Sequence, residues 1–198
     1  MTQHIPISAI LLAAGESTRM RQQKALLPWQ GTTLIQYQVN SLLEAGVSQV
    51  VVVLGYRAER LRSLLGDTSG VQTVLNLRYR TGKSSSVRAG VRQVPTDTSA
   101  VLVLSVDQPR SPELVRHVID AYREKKAPVT YPAYQGRGGH PIIFDGALLP
   151  DMARVRESRQ GLREVVQCHR ARANRFTLDD AQILLDINEP GEYEKAVG

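Results

Sequence analysis

Three polar clusters in this chain have the residue types and spacing to hold a polyphosphate. The first is Leu12-Ala13-Ala14-Gly15-Glu16-Ser17-Thr18-Arg19-Met20, with Lys24 four residues further on. A glycine directly after an apolar run lets the backbone turn with its N–H groups outward and no Cβ in the way. An arginine and a lysine at the end of such a loop suit a polyanion, most simply a triphosphate. The loop lacks the Gly-Lys-Ser/Thr ending of a Walker A motif and the three glycines of a dinucleotide fingerprint. The second cluster is Gly82-Lys83-Ser84-Ser85-Ser86, and the third is Asp107-Gln108-Pro109. Read singly, each has a plainer use: a strand-to-helix turn with solvated cations, a serine N-cap, an aspartate turn.

The elements that would carry these clusters alternate along the chain, as in a doubly wound α/β sheet. Strands are expected at Ser8–Ala13, Gln49–Leu54, Val71–Leu75, Ala100–Ser105, Val129–Tyr134, Pro141–Phe144, Asn174–Leu178 and Ile183–Ile187. Gln49–Leu54 and Ala100–Ser105 are near-continuous apolar runs, the pattern of strands buried on both faces. Helices are expected from Thr32 or Thr33 to Gly46, over Glu59–Leu65, over Ser84–Val94, over Leu162–Gln167 and over Glu189–Ala196. Ser111-Pro112-Glu113 supplies an N-cap, a proline in the first turn and an early acid for a further helix to Lys125. Ligands of parallel α/β sheets bind beyond the carboxyl ends of the strands. The Gly15 loop, the Gly82 turn and Asp107 each follow a strand end, so the fold rule puts all three on one rim. No repeat, low-complexity tract or linker interrupts residues 1–198, which read as one domain.

The chain carries 25 Lys and Arg against 19 Asp and Glu, a net charge of +6. The arginines are scattered, and aromatics are only 5%, too few for a base-stacking platform, so a phosphate-rich small substrate is expected rather than nucleic acid. A single cysteine, Cys168, precludes an intramolecular disulfide and suits a reducing compartment. No stretch approaches the roughly 20 apolar residues that cross a bilayer. Residues 1–6 show no signal-peptide pattern, and a cytoplasmic location without membrane partners is expected. Cys168-His169 has no further ligands at zinc spacing, and Arg57, Arg60 and Arg62 read as a solvated helix face.

The opening block, with Asp107-x-Pro109 about 90 residues later, resembles the MobA-like nucleotidyltransferases, part of the wider GT-A-like group. Pro28-Trp29, Gly55-Tyr56-Arg57, Ser84-Ser85-Ser86-Val87, Gly139-His140-Pro141 and Asp186-Ile187-Asn188-Glu189-Pro190 extend the resemblance over nearly the whole chain. It implies a Rossmann-like nucleotidyltransferase working with Mg²⁺. Arg19, Lys24 and Asp107 would be catalytic. Leu12, Ala13, Ala14, Gly15, Gly82, Ser84 and Ser86 would join them around the nucleotide. Asp107 would be the metal ligand, as suits a carboxylate just past a strand. The second ligand would be Asp186 or Asn188, where many relatives carry an aspartate, unless that block is only the entry to the last helix. The Gly-His-Pro block lies on the acceptor side, which makes Arg137 and His140 candidates for a lid over an anionic acceptor.

The Leu-Ala-Ala-Gly spelling resembles cytidylyl-transferring members, whereas guanylyl-transferring ones tend to Leu-Ala-Gly-Gly; the extra methyl narrows the pocket for a pyrimidine. The expected reaction therefore moves CMP from CTP to a phosphorylated pterin, the terminal phosphate of molybdopterin cofactor, and releases pyrophosphate. A molybdoenzyme or chaperone could receive the product. GTP, a sugar or polyol phosphate as acceptor, and a non-catalytic nucleotide-binding accessory protein remain alternatives.

Overall fold

Seven residues at the start of the chain set the architecture. Strand β1, Ile7–Ala13, is buried throughout, and its side chains alternate between two faces. Ile7, Ala9, Leu11 and Ala13 enter one apolar cluster while Ile10 and Leu12 enter another. A strand covered on both faces must sit in the middle of a sheet. The computed structural model, which describes residues 6–197, puts it there. The leader expectation for residues 1–5 lies outside the described residues.

A two-residue hairpin follows β1, formed by β2 (Pro28–Trp29) and β3 (Thr32–Thr33). In the main sheet, β4 (Gln49–Leu54) and β6 (Ala100–Ser105) flank β1 in parallel. Beyond β4 lies β5 (Val71–Leu75), also parallel. On the other side, β7 (Val129–Tyr134) carries the short β8 (Arg137–Gly138) as an antiparallel partner. Strand β9 (Ile142–Asp145) runs antiparallel between β6 and β7, and β10 (Asn174–Thr177) closes the far edge parallel to β7. The order is β10-β7-β9-β6-β1-β4-β5, a mostly parallel α/β sheet. The chain winds from β1 outward through β4 and β5, then returns to β6 on the opposite side. The crevice beyond the ends of β1 and β6 is therefore the switch point at which such sheets bind ligands.

Helices cover both faces. Apolar residues of α1 (Leu34–Glu44), α2 (Ala58–Leu65) and α4 (Pro112–Lys125) pack on the first cluster. Those of α3 (Lys83–Val91), α5 (Leu149–Met152) and α6 (Leu162–Cys168) pack on the second. The closing helix α7 (Pro190–Val197) leans Tyr193 and Ala196 on the first. Val50 to Leu54 are each fully buried, and side chains of that size contribute about 1.5–3 kcal/mol apiece. Helix α3 lies so close to β1 that a Cβ at Gly90 would stand 2.6 Å from Ile10 Cγ2.

The local start signals act as expected at two helices. The Gln36 side chain accepts from the Thr33 backbone N–H at 3.4 Å and from its hydroxyl at 2.6 Å, and Ser111 accepts from Leu114 N at 3.2 Å. Three expectations need correction. Helix α3 ends at Val91, not Val94, and its N-cap is Gly82 rather than a serine. The segment expected as a strand over Ile183–Ile187 is instead a 3-10 turn, Ala181–Leu184, followed by extended chain. Asp180 caps that turn by accepting from Gln182 N at 2.8 Å. The Leu185 carbonyl is taken by the Arg110 guanidinium, and the Ile183 carbonyl by the same guanidinium and by the His140 backbone N–H at 3.0 Å. Among the described residues no helix is long and apolar enough to cross a membrane.

Candidate active site

The loop after β1 turns by way of Ser17 and Arg21, both left-handed at φ 56°. The Ser17 hydroxyl accepts from the backbone N–H of Lys24 at 3.1 Å, which folds the loop back on itself. Gln23 Nε2 donates to the Tyr56 carbonyl at 2.9 Å, anchoring the far end of the loop to the turn after β4. That turn needs a glycine: a Cβ at Gly55 would lie 2.6 Å from the Ala14 carbonyl oxygen. The β1 and β4 turns are thus locked together.

A cavity of about 310 Å³ opens over the strand ends. Leu12, Ala13, Ala14 and Gly15 line one side, and Gly82 and Ser86 line another. Lys24 and Asp107 stand on its floor, so the three clusters expected on one rim do converge. Lys24 is only 9% exposed. Its Nζ donates to Asp107 Oδ2 at 2.8 Å and to Asn188 Oδ1 at 3.0 Å. Two oxygen acceptors from distant parts of the chain thus hold one cation. The backbone seals the same junction, with Ile187 N donating to the Asp107 carbonyl at 2.8 Å. Arg19 lines neither cavity; it is largely exposed and donates to Asn188 Oδ1 at 3.4 Å. Of the two alternatives for a second ligand, Asn188 shares Lys24 with Asp107. Asp186 instead accepts from Gln108 Nε2 at 2.7 Å.

A second cavity of about 560 Å³ adjoins the first, and Lys83 and Ser105 line both. Val103, Tyr131, Phe144 and Val166 give it an apolar wall, and Gln108, Gln160 and Arg163 add polar groups. His140 lines this cavity, whereas Arg137 lines neither. Burial, reinforced by the charges of Lys83 and Arg110, pushes the His140 pKa down to about 4, so its ring is neutral at pH 7. The glycine-rich segment read as a lid folds as a hairpin, with Arg137 paired to Tyr134 and Gly138 to Ala133.

Several residues that shape the site were not singled out in the sequence. Arg110 is fully buried, and its guanidinium donates to the carbonyls of His140 (3.0 Å), Pro109 (2.8 Å), Leu185 (2.9 Å) and Ile183 (2.9 Å). Desolvation lowers its pKa to about 10, which leaves it charged at neutral pH. Glu16 accepts from Arg80 Nε at 2.6 Å and from the Tyr79 hydroxyl at 3.1 Å, drawing the Gly15 loop towards the turn before α3. These bonds, the arginine's first, hold the Glu16 pKa below its usual value. An arginine next to the Asp107-x-Pro109 turn was the available signal for Arg110. Nothing local marked Glu16.

The arrangement offers backbone donors, a buried cation and a carboxylate around the first cavity, beside a larger and partly apolar one. A model of the MobA-like NTP transferase domain matches residues 9–175. The chain belongs to the MobA-like NTP transferase family. It is 28% identical to the molybdenum cofactor cytidylyltransferase of Escherichia coli K12, over 94% of this chain and 93% of that one. It is 31% identical to the nicotine blue oxidoreductase of Paenarthrobacter nicotinovorans, over 79% of each chain. Among solved structures it is similar to a nucleotidyl transferase from Methanothermobacter thermautotroptrophicus, with a TM-score of 0.81 and 26% identity. That match covers 97% of this chain and 96% of the other.

Proposed function

We propose that residues 1–198 form one nucleotidyltransferase domain that moves CMP from CTP to the phosphate of a molybdopterin-type acceptor. The observation that carries this reading is the Lys24–Asp107–Asn188 cluster on the floor of the first cavity, beside a second, partly apolar cavity. The 28% identity to a molybdenum cofactor cytidylyltransferase supports the choice of substrates. Residues Leu12 to Gly15, Gly82 and Ser86 would enclose the nucleotide, with Arg19 and Lys24 on its phosphates; Ser84, expected with them, lines the second cavity instead.

The donor set fits Mg²⁺. Asp107 and Asn188 present hard oxygen atoms, and Lys24 already shows that this point accepts a cation. Among the described residues no group of three or more His, Cys, Asp or Glu gathers, here or elsewhere, so the site rests on one carboxylate and one amide. One carboxylate and one amide leave room for the phosphate oxygens and waters that Mg²⁺ prefers. When bound, the ion would neutralise phosphate charge. The remaining work falls to positioning. An acceptor phosphate oxygen attacks the α-phosphorus, the bond to the β-phosphate oxygen breaks, and pyrophosphate leaves with that electron pair. The nucleophile is already ionised at pH 7, so no general base is needed. Lys24, Arg19 and the loop N–H groups stabilise the charge that develops on the leaving group.

The reaction is set in the cytoplasm, with a molybdoenzyme or its chaperone as the recipient of the product. Pyrophosphate release over four nucleoside triphosphates, with pterin, sugar and polyol phosphates as acceptors, tests the reading. CTP with the pterin acceptor is expected to give the highest kcat/KM. Ala14→Gly is expected to relax the preference over GTP by about 1–2 kcal/mol, since one methyl discriminates little more. Equal kcat/KM for CTP and GTP would remove the cytidylyl assignment. Binding without any release would favour the accessory protein.

A further inference from the structure

Helix α3 begins on the wall shared by the two cavities, and its N-terminus is already occupied. The N–H of Ser84 donates to Glu157 Oε2 at 2.9 Å, across 73 residues of sequence. Gly82 makes this approach possible, because a Cβ there would lie 2.6 to 2.7 Å from the Glu157 side chain. Beside it, the side chain of Ser84 is 3% exposed and its Oγ has no hydrogen-bond partner. A Cβ on Gly161 would stand 2.8 Å from that Oγ, so only a glycine lets the turn after Glu157 pass this close to the hydroxyl. Lys83 and Arg163 line the same cavity.

A backbone donor, a buried hydroxyl with no well-formed partner and the charge of Lys83 thus face a single carboxylate. The Ser84 N–H first, then the Ser84 side chain and the charges of Lys83 and Arg88, keep Glu157 ionised below the usual carboxylate range. The carboxylate is nonetheless borne by an exposed residue on a three-residue turn, Glu157–Arg159, followed by left-handed Gln160 and Gly161. None of these turn residues is buried, so the carboxylate can withdraw without opening the core.

We propose that the N-terminus of α3 is the subsite for the phosphate of an organic phosphate monoester, and that Glu157 fills it until that ligand arrives. The body of the ligand lies against Val103, Tyr131, Phe144 and Val166. A phosphate monoester carries nearly two charges and three terminal oxygens, enough to engage the Ser84 N–H, its Oγ and Lys83 together. Free phosphate could meet the same donors but would leave the apolar wall uncovered. The inference rests on the reading above only in taking this monoester as the acceptor.

The test is a titration of the full chain, followed by ¹⁵N–¹H amide spectra, with phenyl phosphate or orthophosphate and no nucleotide. The Ser84 amide is expected to respond to phenyl phosphate at a tenfold or more lower concentration than to orthophosphate. Glu157→Gln keeps a weak cap but removes the competing charge, and should lower the half-saturating concentration fivefold or more. Lys83→Met should raise it by a similar factor. A Ser84 amide silent to both probes in the wild type overturns the proposal. So does an equal response to the two probes, because the cavity then adds nothing. Glu157→Gln with a lowered Tm and an unaltered response makes Glu157 a helix cap and overturns the exchange. If that variant does not fold, the wild-type and Lys83→Met titrations still decide. No turnover is measured, so failure here is separate from failure of the pyrophosphate assay.

Discussion

Lys24 is held by a carboxylate and an amide at 2.8 and 3.0 Å, from residues 83 and 164 positions away. A lysine so placed can turn to a triphosphate once another cation takes over its oxygen partners. Lys24→Ala and Arg19→Ala are each expected to slow pyrophosphate release, with the fold intact by circular dichroism. Loss of a cation aimed at the transition state costs about 2–4 kcal/mol, roughly 30- to 1,000-fold in rate. A folded double variant within threefold of the wild type would end the triphosphate role of this loop. Asp107→Asn keeps the shape but removes one negative charge from a site built for a hard cation. Metal-dependent release should fall by orders of magnitude. Metal-free CTP affinity, measured by calorimetry, should hold or rise, because a carboxylate that repels phosphate has gone and Lys24 is released. Normal dependence on Mg²⁺ in this variant would return Asp107 to a turn residue. The Gly15 loop, the Gly82 turn and Asp107 were legible because each follows a strand end, where the fold rule fixes their position. Glu16, Glu157 and Arg110 were not, because their partners lie 63 or more residues away for most of their bonds.

At the scale of elements, Arg110 shows how one side chain overrides a local pattern. Ile183-Leu184-Leu185-Asp186-Ile187 has the apolar density of a strand, yet only Ile183 and Ile187 are fully buried. The guanidinium gathers the carbonyls between them, so the segment passes over the Asp107 turn instead of joining the sheet. Buried strands such as Gln49–Leu54 were legible to the residue because nothing long-range competes with an apolar run paired on both sides. Arg110→Met is expected to destabilise by at least about 3 kcal/mol, since several buried carbonyls lose their donor at about 1–3 kcal/mol each. Urea unfolding checks this. Arg110→Lys should fall between the two, with one ammonium unable to span the same fork. A loss under about 1 kcal/mol for the methionine variant would mean that the carbonyls find other donors.

For the whole molecule, His140 ties stability to pH. Its folded pKa of about 4 lies below the ordinary value of 6.5. Between those values the unfolded chain binds more protons, so stability rises with pH through this window. Its contribution is fully present above about pH 6.5 and is lost as pH falls towards 4. The gap corresponds to about 3 kcal/mol. Denaturant midpoints between pH 7 and 4.5 should therefore fall more steeply for the wild type than for His140→Gln. Parallel curves would show that the ring is not desolvated as described. The same junction sets an order of assembly during synthesis. The sheet core around β1 is complete in sequence well before residue 183, and domains begin to fold from the N-terminal side as they emerge. The partners of Arg110, Gln108 and Lys24 come last, in Ile183, Leu185, Asp186 and Asn188. A nascent chain stalled before this segment would have its scaffold and no working centre, so competence arrives only once residues 183–188 have left the ribosome.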